Sequence, residues 1–338
     1  MKVFINSYNR CTQNTAGGVQ SKIFQTYNAL KKKDVDINLF DKWNDKLADC
    51  DIVHYFSLSP EYFSEIQYVK GMGKKVVLSS VVPITGERKI KLSIAAGKYL
   101  KMHTLVYCCK VILDLCDAII TETSKEKDFI VEAYNVDPSK IIVIPNGISQ
   151  EILDGDSTLF KKSYNEEGDF VIQVGRIDQN KNLLSVIKAL AGTGIQLYVV
   201  GGPAKGEEKY FDDCKSAASD NVHFLGWINH NDPMLKSALR AAKVLVLPSY
   251  EEIFGNVIFE ALANGTNVVA SNVLPVNEWG FSSAVETINP HDILDIRNKI
   301  KIALSKDIDP SIESFVKNEY SFSAIANKHI NLYKSLLK

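Results

Sequence analysis

The sequence predicts an α/β chain built as two doubly wound units in tandem. Three observations carry that expectation. Short β-branched runs alternate with helix-length amphipathic segments, the pattern of parallel strands joined by crossover helices. The alternation is interrupted by a polar stretch at 146–169 and then begins again. The chain has 338 residues, long for one domain but comfortable for two of about 100–200 residues each.

In chain order, "KVFI" (2–5) reads as a first strand and "GGVQSKIFQTYNALKKK" (17–33) as a helix. "DINLF" (36–40), "DIVHYFS" (51–57), "KKVVLSS" (74–80), "DAIITET" (117–123) and "KIIVIP" (140–145) read as further strands. The polar segment 146–169 carries Gly, Ser and Asp and reads as a linker. Beyond it, "GDFVIQVGR" (168–176), "IQLYVVGG" (195–202), "NVHFLGW" (221–227), "KVLVLPS" (243–249) and "TNVVAS" (266–271) read as strands. Helices include 182–190 and 256–264. The segment 320–338 reads as a closing amphipathic helix with Phe322, Ile325, Ala326, His329, Ile330, Tyr333 and Leu337 on one face. The expected domains are therefore 1–147, with helix 320–338 packing back on it, and 148–319. Two such units, each open at the carboxyl ends of its strands, are expected to face each other across a cleft.

Charge and cysteine content narrow the function classes. A formal net charge of −1 gives no bulk attraction for nucleic acid, so no nucleic-acid partner is expected. The six cysteines, Cys11, Cys50, Cys108, Cys109, Cys116 and Cys214, form no C-x-x-C pair or zinc spacing. They read as reduced thiols of a cytoplasmic protein. The opening "MKVFINSYNR" turns polar too soon for a signal peptide, and no apolar run is long enough to span a bilayer. Asp-x-Asp triplets at 34–36, 154–156 and 307–309 are scattered among 40 acidic residues, and chance accounts for them, so no metal is expected.

The segment "LPSYEEIFGNVIFEALANGTNVVAS" (247–271) is the richest in chemistry. A strand ends at Leu247, Pro248 and Ser249 break it, and "FGN" (254–256) leads into a helix that Gly265 terminates. A glycine before a helix lets backbone N–H groups face a ligand, and a helix start favours a phosphate. Glu252 and Glu260 would flank that phosphate as acceptors for sugar or ribose hydroxyls. Taken singly, each glutamate reads more readily as a solvated loop or surface-helix residue; the joint context shifts the balance.

"EIFGNVIFE" resembles the E-x7-E motif of the retaining glycosyltransferases of the GT-B fold, in particular their large family four. "QVGRIDQNKN" (173–182) is similar to that family's G-R-x(4)-K segment, giving Gly175, Arg176 and Lys181. "VVGGP" (199–203), "NVHFLGWIN" (221–229), "VIPNGI" (143–148) and "AGGVQSKI" (16–23) resemble further family segments, so the likeness runs over nearly the whole chain. It implies two Rossmann-like domains, the first for the acceptor and the second for a nucleotide-diphosphate sugar, with uridine diphosphate as the expected carrier. It implies catalytic roles for Arg176, Lys181 and Glu252, the two cations gripping a diphosphate whose charge grows as it leaves. Glu260 would hold the ribose, the backbone of Phe254, Gly255, Asn256 and Val257 the sugar and phosphate, and Trp227 and Ile228 the base. Trp227 reads equally as a core residue. Gly17 and Gly18 would let the first domain's backbone approach the diphosphate or the acceptor, or simply begin a helix.

The first domain departs from the family pattern. "VVLSSVVPITG" (76–86) has no histidine where many relatives carry one facing the sugar; Ser79, Ser80 or Thr85 would supply a hydroxyl instead. His54 resembles the family's D-x-V-H position and is a further candidate ligand, although a lone strand-end histidine is more often structural. The basic, apolar segment 87–116 reads as helical and suits either a solvated face or the inner face of an anionic membrane. The resemblance implies transfer with retention to a glycan or lipid-linked glycan of the cell surface, no cofactor or metal, and closure about hinges near 146–169 and 319–320. A sugar-nucleotide epimerase of the same fold and a catalytically silent nucleotide-sugar binding protein are the alternatives.

Overall fold

The computed structural model describes residues 1–8, 18–100, 103–307 and 309–338. It divides into two units, Met1–Gly147 with Phe322–Lys338, and Ile148–Ser321.

The first unit runs β1 (Lys2–Asn6), α1 (Gly18–Lys31), β2 (Asp36–Leu39), β3 (Ile52–Phe56), α2 (Phe63–Gly71), β4 (Lys75–Ser79), α3 (Glu87–Tyr99), α4 (Leu105–Leu115), β5 (Ala118–Thr121), α5 (Ser124–Tyr134) and β6 (Ile141–Val143). All strands pair in parallel, in the order β2-β1-β3-β4-β5-β6. A parallel sheet covered on both faces must be apolar on both, and the period-2 alternation of strand side chains sorts them into two cores. Val3, Ile5, Ile52, Phe56 and Val77 enter one, while Phe4, Val53, Tyr55, Val76 and Leu78 enter the other.

The second unit runs α6 (Thr158–Tyr164), β7 (Val171–Val174), α7 (Leu183–Leu190), β8 (Leu197–Val200), α8 (Glu208–Ala217), β9 (Val222–Gly226), α9 (Pro233–Ala241), β10 (Val244–Leu247), α10 (Asn256–Leu262), β11 (Asn267–Ser271), β12 (Val285–Ile288), α11 (Ile293–Leu304) and α12 (Pro310–Tyr320). Its parallel order is β12-β11-β10-β7-β8-β9. The chain steps outward from β7 to β9, then returns to the other side of β7 to lay down β10. The strand order therefore reverses between β7 and β10, where a doubly wound sheet opens a crevice at its carboxyl edge. The final helix, α13 (Phe322–Leu336), belongs to the first unit and adds Phe322, Ile325, Ala326 and Tyr333 to its core.

Several expectations are corrected. The stretch 146–169 is not a polar linker: Ile148, Ile152 and Phe160 are buried in the second unit's core, and 158–164 is helical. Its apolar residues are spaced too irregularly to show a period. The segment 87–116 is two helices, α3 and α4. The closing helix begins at Phe322 because Tyr320 ends α12, and Leu337 lies exposed beyond its last turn. Strand β12 was not read from the sequence: it is an edge strand whose Glu286 faces Lys299 and Lys306, so it lacks an apolar run.

Candidate functional site

The two segments that leave β7 and β10 flank the reversal of strand order, and hydrogen bonds strap them together. Gly175 follows β7 at φ 145°, and its N–H donates to Val200 O at 2.9 Å. Asp178 then caps a short turn by accepting from Lys181 N at 2.8 Å. Asn180 N–H groups and oxygens meet the other loop three times: Nδ2 donates to Glu251 O at 2.9 Å, Oδ1 accepts from Glu251 N at 2.8 Å, and its carbonyl accepts from Tyr250 N at 2.9 Å. Asn182, left-handed at φ 55°, donates to Pro248 O and Pro290 O and accepts from the Tyr250 hydroxyl. Gln173 holds the Lys181 carbonyl at 3.0 Å.

This scaffold fixes an ion pair. Lys181 Nζ donates to Glu252 Oε2 at 2.5 Å, the two residues being 71 apart in sequence. Both side chains are mostly buried, at 20% and 17% exposure, so the pair is better insulated from solvent than a surface salt bridge. Arg176 is exposed, its guanidinium 3.6 Å from the same Asp178 carboxylate that caps the turn. Lys181 and Glu252 are thus brought together, and Arg176 stands on the rim of the same loop.

Gly255 (φ 73°) makes the left-handed turn that starts α10. Phe254 turns its ring inward, stacked on Phe259 at 4.2 Å between centroids, so a ligand meets only its backbone. Asn256 and Val257 are half-buried at the helix start. Glu260 is mostly buried one turn on and pairs with His230 rather than with either cation, Nε2 to Oε1 at 3.0 Å. That hydrogen bond raises the His230 pKa above its ordinary value against the opposing effect of burial. Trp227 is 62% exposed, which removes the core-residue reading, and Ile228 packs partly against the core.

In the first unit, His54 is not a ligand candidate. It is fully buried at the centre of β3, with Nδ1 2.7 Å from the Tyr333 hydroxyl and Nε2 2.9 Å from Ser79 Oγ. Ser79 is thereby committed. Ser80 is committed as well, its single hydroxyl proton lying between two acceptors, Ile120 O at 3.0 Å and the buried Glu126 carboxylate at 2.9 Å. Thr85 is exposed and Gly18 is the first residue of α1, while Gly17 lies outside the described residues. Asn180, Asn182, Tyr250 and His230 were missed by sequence reasoning. The left-handed Asn182 in a K-N step was a usable signal for the first loop; nothing local marked His230. Among the described residues there is no group of three His, Cys, Asp or Glu side chains able to hold a metal, and no helix long and apolar enough to cross a membrane.

Residues 156–321 match the family model described as glycosyl transferases group 1. Nearly the whole of the second unit is therefore similar to that family. A D-inositol 3-phosphate glycosyltransferase of Stackebrandtia nassauensis is 32% identical over 207 residues, 54% of this chain and 45% of that protein. An uncharacterized 41.2 kDa protein in the cps region of Klebsiella pneumoniae is 26% identical over 70% of this chain and 66% of that protein. The chain thus spans about half the length of the first relative and under two thirds of the second. Among solved structures, Anabaena HepE in complex with UDP superimposes with a TM-score of 0.75 at 14% identity, covering 99% of this chain and 100% of that one. The likeness identifies the fold as GT-B, with two Rossmann-like units. The strapped loops after β7 and β10, with Arg176, Lys181, Glu252 and Glu260, lie within the matched residues 156–321.

Proposed function

We propose that the chain is a retaining glycosyltransferase that moves a sugar from a nucleotide-diphosphate sugar, with uridine diphosphate as the carrier, to a hydroxyl of a glycan or lipid-linked glycan in cell-surface polysaccharide synthesis. The observation that carries this reading is the insulated Lys181–Glu252 pair at the strand-order reversal, beside the left-handed Gly255 turn. A cation held there opposes the negative charge that grows on the departing diphosphate, and a preorganised charge costs no reorganisation during reaction. Before the donor arrives, Glu252 neutralises Lys181; the diphosphate then competes for the ammonium and frees Glu252 to accept sugar hydroxyls. Arg176, exposed and loosely held, closes on the phosphates from the rim. The bond between the anomeric carbon and the phosphate oxygen breaks, the acceptor oxygen bonds to the same face, and its proton passes to the leaving phosphate. Positioning supplies the rest of the acceleration.

Lys181→Ala, Arg176→Ala and Glu260→Ala should each lower transfer more than about tenfold, or about 1.4 kcal/mol of barrier. The assay is radiolabelled sugar transfer from a panel of nucleotide sugars, with the donor first chosen by its thermal shift. Wild-type rates in all three variants would overturn the assignment. Epimerised sugar without acceptor would point to an epimerase, and binding without turnover to a silent binding protein. Transfer is expected to survive removal of divalent cations by chelation. The helices α3 and α4 support contact with an anionic membrane: Leu92, Tyr99 and Leu105 are exposed on them beside Arg88, Lys89 and Lys98. Each basic residue near such a surface contributes about 1 kcal/mol. Retention on phosphatidylserine-rich but not neutral vesicles is the expected result.

A further inference from the structure

His230 occupies the carboxylate that the proposed function needs. It sits in the loop between β9 and α9, three residues beyond Trp227, and its Nε2 lies 3.0 Å from Glu260 Oε1 on α10. An ionised carboxylate only accepts, so Nε2 carries the proton in this contact. The imidazole faces negative charge from two elements: Glu260 on α10, and Glu151 in the turn Gln150–Ile152. The side chain of the neighbouring Asn231 adds a further hydrogen bond. The carboxylate of Asp232, next along the loop, is engaged in capping α9 at Met234 N, 2.8 Å away.

We propose that His230 is a positioning residue for the donor's ribose: it holds one oxygen of Glu260, leaves the other to accept ribose hydroxyls, and ties the Trp227 loop to α10. The proposal rests on the reading of Glu260 as the ribose acceptor. A carboxylate pinned at one oxygen has lost the side-chain rotation that a ligand would otherwise have to freeze, so binding costs less. The pin is charge-assisted while the imidazole is protonated and weaker once it is neutral. Nucleotide affinity should therefore decline as pH rises through the His230 titration.

The test is calorimetric titration of the whole chain with UDP, ADP and GDP, which share ribose and diphosphate, followed from pH 5.5 to 8.5 with whichever binds tightest. His230→Leu should weaken binding about fivefold at pH 6 and lose the decline toward high pH, leaving only the dependence contributed by the nucleotide's own terminal phosphate. His230→Gln, which keeps an N–H donor, should bind within about twofold of wild type at pH 6, with the same pH profile as His230→Leu. The residue is exposed enough for both variants to keep the wild-type melting temperature. If Glu260→Ala weakens binding while His230→Leu binds and titrates like wild type, the positioning role is wrong and the Glu260 reading stands. If Glu260→Ala binds as wild type, or wild type binds none of the three nucleotides, the donor reading itself fails and takes this inference with it.

Discussion

Gly201 shows how tightly single residues constrain the floor of the site. At φ 141° it passes so close to the loop after β7 that an added Cβ would lie 1.8 Å from Gly175 O. Backbone cannot yield that distance locally, so Gly201→Ala should cost more than about 3 kcal/mol in denaturant unfolding and disorder the Gly175 turn. Gly255→Ala is milder. Its Cβ would meet Ile258 and Leu247 side chains at 3.1 Å, at φ 73°, and about 1–2 kcal/mol is expected. Asn180 makes its contribution through position: Asn180→Ala removes two side-chain hydrogen bonds to Glu251. At about 1 kcal/mol each this destabilises modestly, but it loosens the pair that the proposed reaction uses. Turnover should fall further than the melting temperature alone would suggest.

At the scale of elements, the docking of α13 on the first sheet is a pH-sensitive joint. His54 on β3 and His329 on α13 lie 5.7 Å apart between ring centroids, both buried. Burial, reinforced by the charges of His329 and Lys22, holds His54 well below its ordinary range; burial, with a contribution from Lys22 and against the hydrogen bond to Ile325 O, brings His329 to about 4. The unfolded chain therefore binds protons that the folded chain refuses. Stability is fully present above the ordinary histidine pKa of about 6.5 and is lost as pH falls from there toward 4, at about 1.4 kcal/mol per pH unit for each histidine. His329→Leu should flatten that acid limb by one proton, measured as unfolding free energy between pH 4 and 7. An unchanged slope would mean that His329 is protonated in the folded protein.

The whole chain crosses between its two units twice, at Gly147–Ile148 and at Ser321–Phe322. The crossings run together: Ile148 N donates to Tyr320 O at 2.7 Å, and an added Cβ on Gly147 would strike the Phe322 ring at 2.6 Å. The second unit is therefore one continuous segment, whereas the first is completed only by the end of the chain. Ending the protein after Ser321 strips Phe322, Ile325, Ala326 and Tyr333 from the first unit's core and none from the second's. Limited proteolysis of that truncation should leave a resistant fragment near 148–321 and digest the rest.

Sequence alone determined what depends on local periodicity and local backbone chemistry. Parallel strands buried on both faces must be apolar runs, so eleven of the twelve strands in the two sheets were legible, and β12 was not because an edge strand tolerates charge. The Gly255 turn, the Gly265 helix stop and the two acidic positions eight residues apart were legible because turns and helix starts are built from neighbours. Tertiary structure alone decided which side chains meet across long separations. It paired Lys181 with Glu252 and His230 with Glu260, buried His54 against Tyr333 of the last helix, and drew 148–164 from an expected linker into a core. Such contacts leave no period in the sequence, because they are selected by the parallel pairing of β7 with β10 and by the return of α13 to the first sheet, which only the folded chain brings about.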